Sequence, residues 1–201
     1  MARDMGVQAD FRIYNWEDII PALQKGEIDV ILGGMAITPA RALKIRFSHP
    51  YVDSGIGLAT NTSKTSKIKK LGDLNSAEYT IAMVSKTVSF SSTKNLFDKA
   101  NILTFKTSQA AGQAVISGLA DAYVASLPQP KFLSLRNPDV VDSRLSEPLI
   151  PYKAGMGVKK GEQEWLNFLN AWITSKQADK WLSVTYKYWF EGLEWSKGSN
   201  S

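Results

Sequence analysis

Two stretches of this chain align on each other without a gap. Residues 22–34, Ala-Leu-Gln-Lys-Gly-Glu-Ile-Asp-Val-Ile-Leu-Gly-Gly, lie over residues 114–126, Ala-Val-Ile-Ser-Gly-Leu-Ala-Asp-Ala-Tyr-Val-Ala-Ser, at an offset of 92 positions. Each copy has an apolar helical end and a glycine (Gly26, Gly118) suited to a left-handed helix stop. Each then has an aspartate three residues on (Asp29, Asp121) and a short apolar run. The pattern predicts a helix feeding a buried strand, built twice. A chain that repeats this unit is expected to form two similar lobes, with the groove between them as the place for a ligand.

At 201 residues, 44% hydrophobic and 21% charged, the chain has material for one large domain or two small ones. Its net charge of +5 includes a cluster from Lys64 to Lys70 that lacks interleaved aromatics. That composition fits a solvated lysine-rich surface and argues against nucleic acid as a partner. The absence of cysteine excludes a disulfide framework, a thiolate metal site and a thiol nucleophile. Residues 1–6 show neither the apolar core of a signal peptide nor a membrane span. They read as the last turns of a helix ending at Gly6, so an upstream part is expected to be missing.

Along the chain, Val7 to Tyr14 reads as a strand, Glu17 to Lys25 as a helix closed by Gly26, and Ile28 to Leu32 as a buried strand. Thr38 offers an N-cap and Pro39 a first helical position for a short helix through Lys44. Gly55 to Thr60 is a strand leading into a polar linker, Asn61 to Lys70. Strands at Tyr79–Val84, Ile102–Phe105 and Ala120–Ala125 alternate with helices at about Ser89–Lys99 and Ser108–Ser117. This alternation predicts an α/β fold with mostly parallel sheets flanked by helices. Tyr152 to Lys159 is a further strand, followed by helices at Glu162–Ser175 and Ala178–Phe190, where most tryptophans fall at core spacing. The expected organisation is a discontinuous first lobe, 1–60 plus 154–201, with a second lobe, 61–153, inserted. Two crossings between them would make a hinge.

Ligands of parallel sheets lie beyond the carboxyl ends of the strands, here Gly33 to Ala36 in one copy and Ser126 in the other. Gly33-Gly34 lets backbone N–H groups approach a ligand closely. Arg41, in the first turn of a helix, opposes the helix dipole. A carboxylate gripped by its guanidinium and by backbone donors at Gly34 and Ala36 would account for it; so would an acidic neighbour on the surface. Thr87 could take an anion at a helix start or simply cap that helix. Trp16 could present a flat apolar face or belong to the core. His49 has no triad or metal partner in the sequence and reads as surface or packing. No spacing suggests metal ligands, and nothing calls for a cofactor.

These same residues carry a family resemblance. Trp16 to Leu23, Gly26 to Ile31, the Thr38-Pro39-Ala40-Arg41 element and Phe47-Ser48-His49-Pro50-Tyr51 resemble the polar amino-acid-binding proteins of ABC importers. Those are extracytoplasmic solute-binding proteins with the two-lobed type II periplasmic-binding-protein fold. The likeness continues through Gly118 to Tyr123, Gly155 to Val158 and the Trp-rich tail. It implies that Arg41 clamps a ligand carboxylate, with Gly34, Ala36 and Thr87 helping, and that Trp16 packs on the ligand side chain. It also implies a periplasmic location, a membrane permease as partner and no catalytic role.

Two departures qualify that picture. The family's ammonium-binding aspartate is matched here by Ser126, a weaker, neutral partner. Family members also begin with a strand of the first lobe that this chain lacks, so the chain alone is expected to be poorly stable, rearranged or swapped with a neighbour, and weak in binding. A receptor's sensing domain is one alternative. The other is an enzyme like the cyclohexadienyl dehydratases, whose glutamate acid aligns with Gln129, a residue that cannot supply the proton.

Overall fold

The structure is a computed structural model, and it describes residues 1–143, 145, 147–193 and 195. Helices α1 (Ala2–Met5), α2 (Ile19–Lys25) and α3 (Pro39–Ala42) precede the long strand β1 (Arg46–Asn61). Then follow β2 (Thr80–Val84), α4 (Val88–Thr93), β3 (Asn101–Phe105), α5 (Ser108–Ile116), β4 (Ala122–Ser126), α6 (Gln129–Arg136) and β5 (Val141–Asp142). The chain ends with β6 (Ile150–Val158), α7 (Gln163–Ala178) and α8 (Trp181–Tyr186). It divides into two compact units: Met1–Asp53 with Lys153–Thr185, and Ser54–Tyr152 with the described residues from Tyr186 onward. The chain therefore changes unit inside β1 and inside β6, as well as within α8.

The second unit is built on a mixed sheet. β2 pairs parallel with β3 and with β4, while β1 pairs antiparallel with β4 and with β5. The strand order is β3-β2-β4-β1-β5, and β6 pairs with β1. The α/β class is as expected, with antiparallel ladders joining the parallel core. Side chains alternate across β2 and β4, and both faces are covered. Ala82, Val84, Tyr123 and Ala125 pack with Ala111, Ala114 and Val115 of α5. Ile81, Met83, Ala122 and Val124 pack on the opposite side with Ile56, Leu58, Leu74 and Phe97. Burial on both faces explains why these strands read as unbroken apolar runs. Asp121 anchors the start of β4: its Oδ2 accepts the N–H of Thr80 at 2.7 Å, and Lys64 Nζ lies 3.9 Å from its Oδ1.

In the first unit, α2 ends as its sequence predicts. Gly26 takes φ 79°, its N–H reaches Leu23 O at 3.1 Å, and the Glu27 N–H reaches Ala22 O at 3.0 Å. Leu23, Ile31, Met35 and Ile45 form one core cluster, against which Trp16 and Phe47 pack. Met156, Val158, Leu169 and Ile173 form another, covered by Trp165, Phe168 and Trp172. Helix α1 also ends as read, with Gly6 at φ 68°.

Several expected elements differ. Val7 to Tyr14 is not a strand: it has no regular structure and is almost wholly exposed. No strand pairs with it among the described residues, so its backbone groups are left to water. Ile28 to Leu32 shrinks to a single bridge between Ile31 and Gly157, and Leu32 is exposed. The expected helix at 89–99 is α4 followed by a 3-10 turn, Lys94–Phe97, and the one at 178–190 is α8 followed by a π turn, Lys187–Glu191. Helix α6, which begins after Pro128, is not foretold by the sequence because its apolar periodicity is weak.

Candidate functional site

In the first unit the cap at Thr38 sets the geometry. Thr38 is extended (φ −134°, ψ 149°), and its Oγ1 accepts the Arg41 N–H at 3.3 Å, with Pro39 at the first helical position. This cap starts a single short helix from which Arg41 turns back over the preceding loop. Its Nη1 donates to the Ala36 carbonyl at 3.0 Å, and the guanidinium carbon stands 5.4 Å from the centre of the Trp16 ring. The aromatic face and the carbonyl both favour the cation and fix its plane.

Ala36 itself is fully buried and sits opposite Ala154 in an isolated antiparallel bridge. The flanking bonds run from Ile37 N–H to Lys153 O at 3.0 Å and from Gly155 N–H to Met35 O at 3.1 Å. That bridge locks residues 35–37 beneath the guanidinium. Gly34 adopts φ 68°, a left-handed conformation that favours glycine. Its N–H donates to the hydroxyl of Tyr51 at 2.9 Å. A Cβ at Gly33 would approach the Trp16 ring at 4.0 Å, so Gly33 lies against that aromatic. Trp16, Gly34, Ala36 and Arg41 are therefore gathered around one loop of the first unit. Tyr51 joins them without having been singled out as a ligand residue; its place in the Phe-Ser-x-Pro-Tyr run was the available signal.

In the second unit, the strand ends carry Thr87 and Ser126. β2 and β4 are parallel neighbours, with Met83 opposite Val124, so the residues that follow them emerge on the same edge of the sheet. Thr87 is the N-cap of α4: its Oγ1 accepts the Phe90 N–H at 3.2 Å. That oxygen also lies 2.7 Å from Val84 O and 2.8 Å from Ser89 Oγ. Lys86, just before it, has φ 60°. Ser126 ends β4 opposite Ile56, and the next N–H, that of Leu127, donates to Gly55 O at 2.9 Å. Gln129 accepts the Tyr123 hydroxyl at its Oε1 (3.2 Å). Burial pushes the Tyr123 phenol upward, so this hydroxyl stays protonated as a donor.

His49 is exposed, and its backbone N–H donates to Asn170 Oδ1 at 2.7 Å. Among the described residues, no group of three or more His, Asp or Glu side chains is placed to hold a metal ion. No helix among them is long and apolar enough to cross a membrane.

Comparison with known proteins places this chain in a family. The ABC transporter glutamine-binding protein GlnH of Bacillus subtilis is 28% identical over 187 residues, covering 92% of this chain and 66% of its own length. The L-cystine-binding protein TcyJ of Escherichia coli is 22% identical over 94% of this chain and 70% of that protein. Among solved structures, a lysine complex of a binding component of an ABC transporter from Wolinella succinogenes superposes with a TM-score of 0.90 at 28% identity, covering 98% of this chain and 84% of that one. An ancestral amino acid-binding protein, described as a precursor of cyclohexadienyl dehydratase, superposes at 0.82 with 34% identity, covering 94% and 80%. The chain spans about two thirds of the length of the first curated relatives. Residues 1–192 match the family described as bacterial extracellular solute-binding proteins, family 3, and the chain belongs to that family.

Proposed function

We propose that this chain binds an amino acid or a related small carboxylate outside the cytoplasm and delivers it to the permease of an ABC importer. The observation that carries the reading is the guanidinium of Arg41, fixed between the Trp16 ring and the Ala36 carbonyl beside a left-handed Gly34. A fork of N–H donors in a set plane suits a carboxylate, which accepts two parallel hydrogen bonds. In this reading the Gly34 N–H exchanges the Tyr51 hydroxyl for a carboxylate oxygen, and Trp16 covers the ligand side chain. The two compact units serve as the two lobes. On the second of them Thr87 and Ser126 contribute polar contacts, Ser126 where relatives place an ammonium-binding aspartate. A hydroxyl there favours solutes whose amino group is neutral, substituted or absent. Binding without catalysis also suits Gln129, an amide that accepts from Tyr123 and has no proton to give as an acid.

The test is a thermal-shift screen of amino acids and small carboxylates on the parent and on Arg41→Ala. A solute at 100 times its dissociation constant stabilises the folded state by about 2.7 kcal/mol. Arg41→Ala is expected to keep its ligand-free melting temperature within a few degrees and to lose that response. A set of carboxylates that leaves the parent unshifted, or that shifts both proteins equally, refutes the assignment.

A further inference from the structure

Each parallel strand of the second unit is preceded by an acid and followed by a lysine. Glu78, Asp98 and Asp121 stand one to three residues before β2, β3 and β4, and Lys86, Lys106 and Lys131 stand one to five residues after them. In the sheet Thr80 lies opposite Asn101 and Ile81 opposite Ala122. The three acids therefore fall on one edge and the three lysines on the other, the edge that carries Thr87 and Ser126. No Asp or Glu occurs in residues 85–97, 106–120 or 126–138, the connections that leave this lysine edge. On the β1 side, Asp53 is held by Lys153, and Glu147 comes in across β1, where the Leu149 N–H donates to Ile56 O.

Folding gains nothing from this placement. Lys106 precedes the N-cap of α5 and Lys131 lies in the first turn of α6, where the helix dipole disfavours a cation. Lys86 has φ 60°, a left-handed conformation that a residue with a side chain adopts only at a cost. Val84 lies opposite Phe105, so Lys86 and Lys106 also leave neighbouring strands, about 5 Å apart, as like charges. An anion on this edge offsets all three. We propose that the edge holds a second anionic group of the solute, selected by Lys86, so that the solute is a dicarboxylate and not a cationic amino acid. The inference rests on the reading of Arg41 as the residue that takes the first carboxylate. The Lys86 ammonium gives the second carboxylate a charge-assisted hydrogen bond. Ser126 offers a hydroxyl without a charge to repel it. A solute with an ammonium at its far end instead meets only like charge here.

Calorimetric titration of the full chain tests this with straight-chain dicarboxylates from succinate to pimelate, the monocarboxylates of equal length and the matching ω-amino carboxylates. Every probe offers one carboxylate to Arg41 and differs only at its far end. The best dicarboxylate is expected to bind about tenfold more tightly than its monocarboxylate, and the ω-amino carboxylate is expected to bind most weakly. Lys86→Gly suits the left-handed conformation, so it is expected to melt no lower than the parent and yet to lose the tenfold preference. Lys86→Glu is expected to reverse the order, with the ω-amino carboxylate ahead. Three series of equal affinity, tightest binding of the ω-amino carboxylate, or a dicarboxylate preference that survives in Lys86→Gly overturns the proposal; monocarboxylate binding that is lost in Arg41→Ala then leaves the Arg41 assignment standing. A preference that depends on Lys86 but survives in Arg41→Ala retains the edge and removes Arg41. A chain that takes up none of these carboxylates overturns both.

Discussion

Gly55 offers the sharpest test of the packing behind Ser126. A Cβ added there would stand 2.3 Å from Pro148 Cβ, 2.8 Å from Pro148 Cγ and 2.9 Å from the Ile150 carbonyl oxygen. Ordinary contacts begin near 3.4 Å, so the overlap with the proline ring is about 1 Å. That ring cannot rotate out of the way, and Ile150 O belongs to the backbone at the start of β6. Nor can β1 slide alone. Gly55 O accepts the Leu127 N–H at 2.9 Å and Ile56 O accepts the Leu149 N–H at 2.7 Å, so it is tied on both sides. Overpacking of this kind costs typically about 1–3 kcal/mol, and a clash with two rigid groups belongs at the top of that range.

At roughly 2–4 °C per kcal/mol for a chain of this size, Gly55→Ala should lower the melting temperature by about 6–12 °C. Two companions grade the reasoning. Gly57→Ala meets Leu127 Cδ2 at 2.6 Å, the far end of a flexible side chain, and should cost only about 1 kcal/mol. Gly72→Ala meets no atom within 4 Å and should be neutral or stabilising by about 0.4–1 kcal/mol. Far-UV circular dichroism of the three variants during heating reads the order directly. If Gly55→Ala melts within a degree of Gly72→Ala, the close approach of Pro148 to β1 is wrong.

Two further outcomes follow from the site and the surface. Ser126→Asp is expected to bind a zwitterionic α-amino acid about tenfold more tightly, since hydrogen bonds to charged groups contribute about 1.5–3 kcal/mol against 0.5–1.5 for neutral ones; calorimetric titration showing equal or weaker binding removes Ser126 from the site. Asp73 accepts the N–H groups of Lys69 and Lys70 at 3.0 and 3.1 Å, and these bonds hold its carboxyl below the usual range. Because the folded value lies below the unfolded one, its stabilisation is present at neutral pH and is lost as the pH falls through the folded value. Melting temperatures of Asp73→Asn and the parent should therefore differ at neutrality and converge in acid; a constant gap across that range refutes the linkage.

The elements legible in the sequence are those decided by neighbours in the chain. The stops at Gly6, Gly26 and Gly118 and the Thr38-Pro39 start need only a left-handed glycine or a hydroxyl three residues from an N–H. The strands β2 and β4 announce themselves as apolar runs because both their faces are buried. The grouping of Trp16, Gly34, Ala36 and Arg41 was legible in part, since they lie within 26 positions of one another and were read as one ligand set. That Tyr51 meets the Gly34 N–H was not, because a hydroxyl's partner 17 residues away leaves no periodic trace.

The duplicated unit divides the two kinds of information most clearly. Its two copies carry the same glycine stop, and both glycines take it, at φ 79° and 76°. Beyond that stop they part. Ala122–Ser126 becomes a full strand between β2 and β1, with Asp121 bound to the Thr80 N–H, whereas residues 28–32 keep only the Ile31 bridge to Gly157. A helix satisfies its own backbone, so sequence alone determines where it ends. A strand borrows its hydrogen bonds from neighbours, so only the tertiary structure decides which apolar run becomes one.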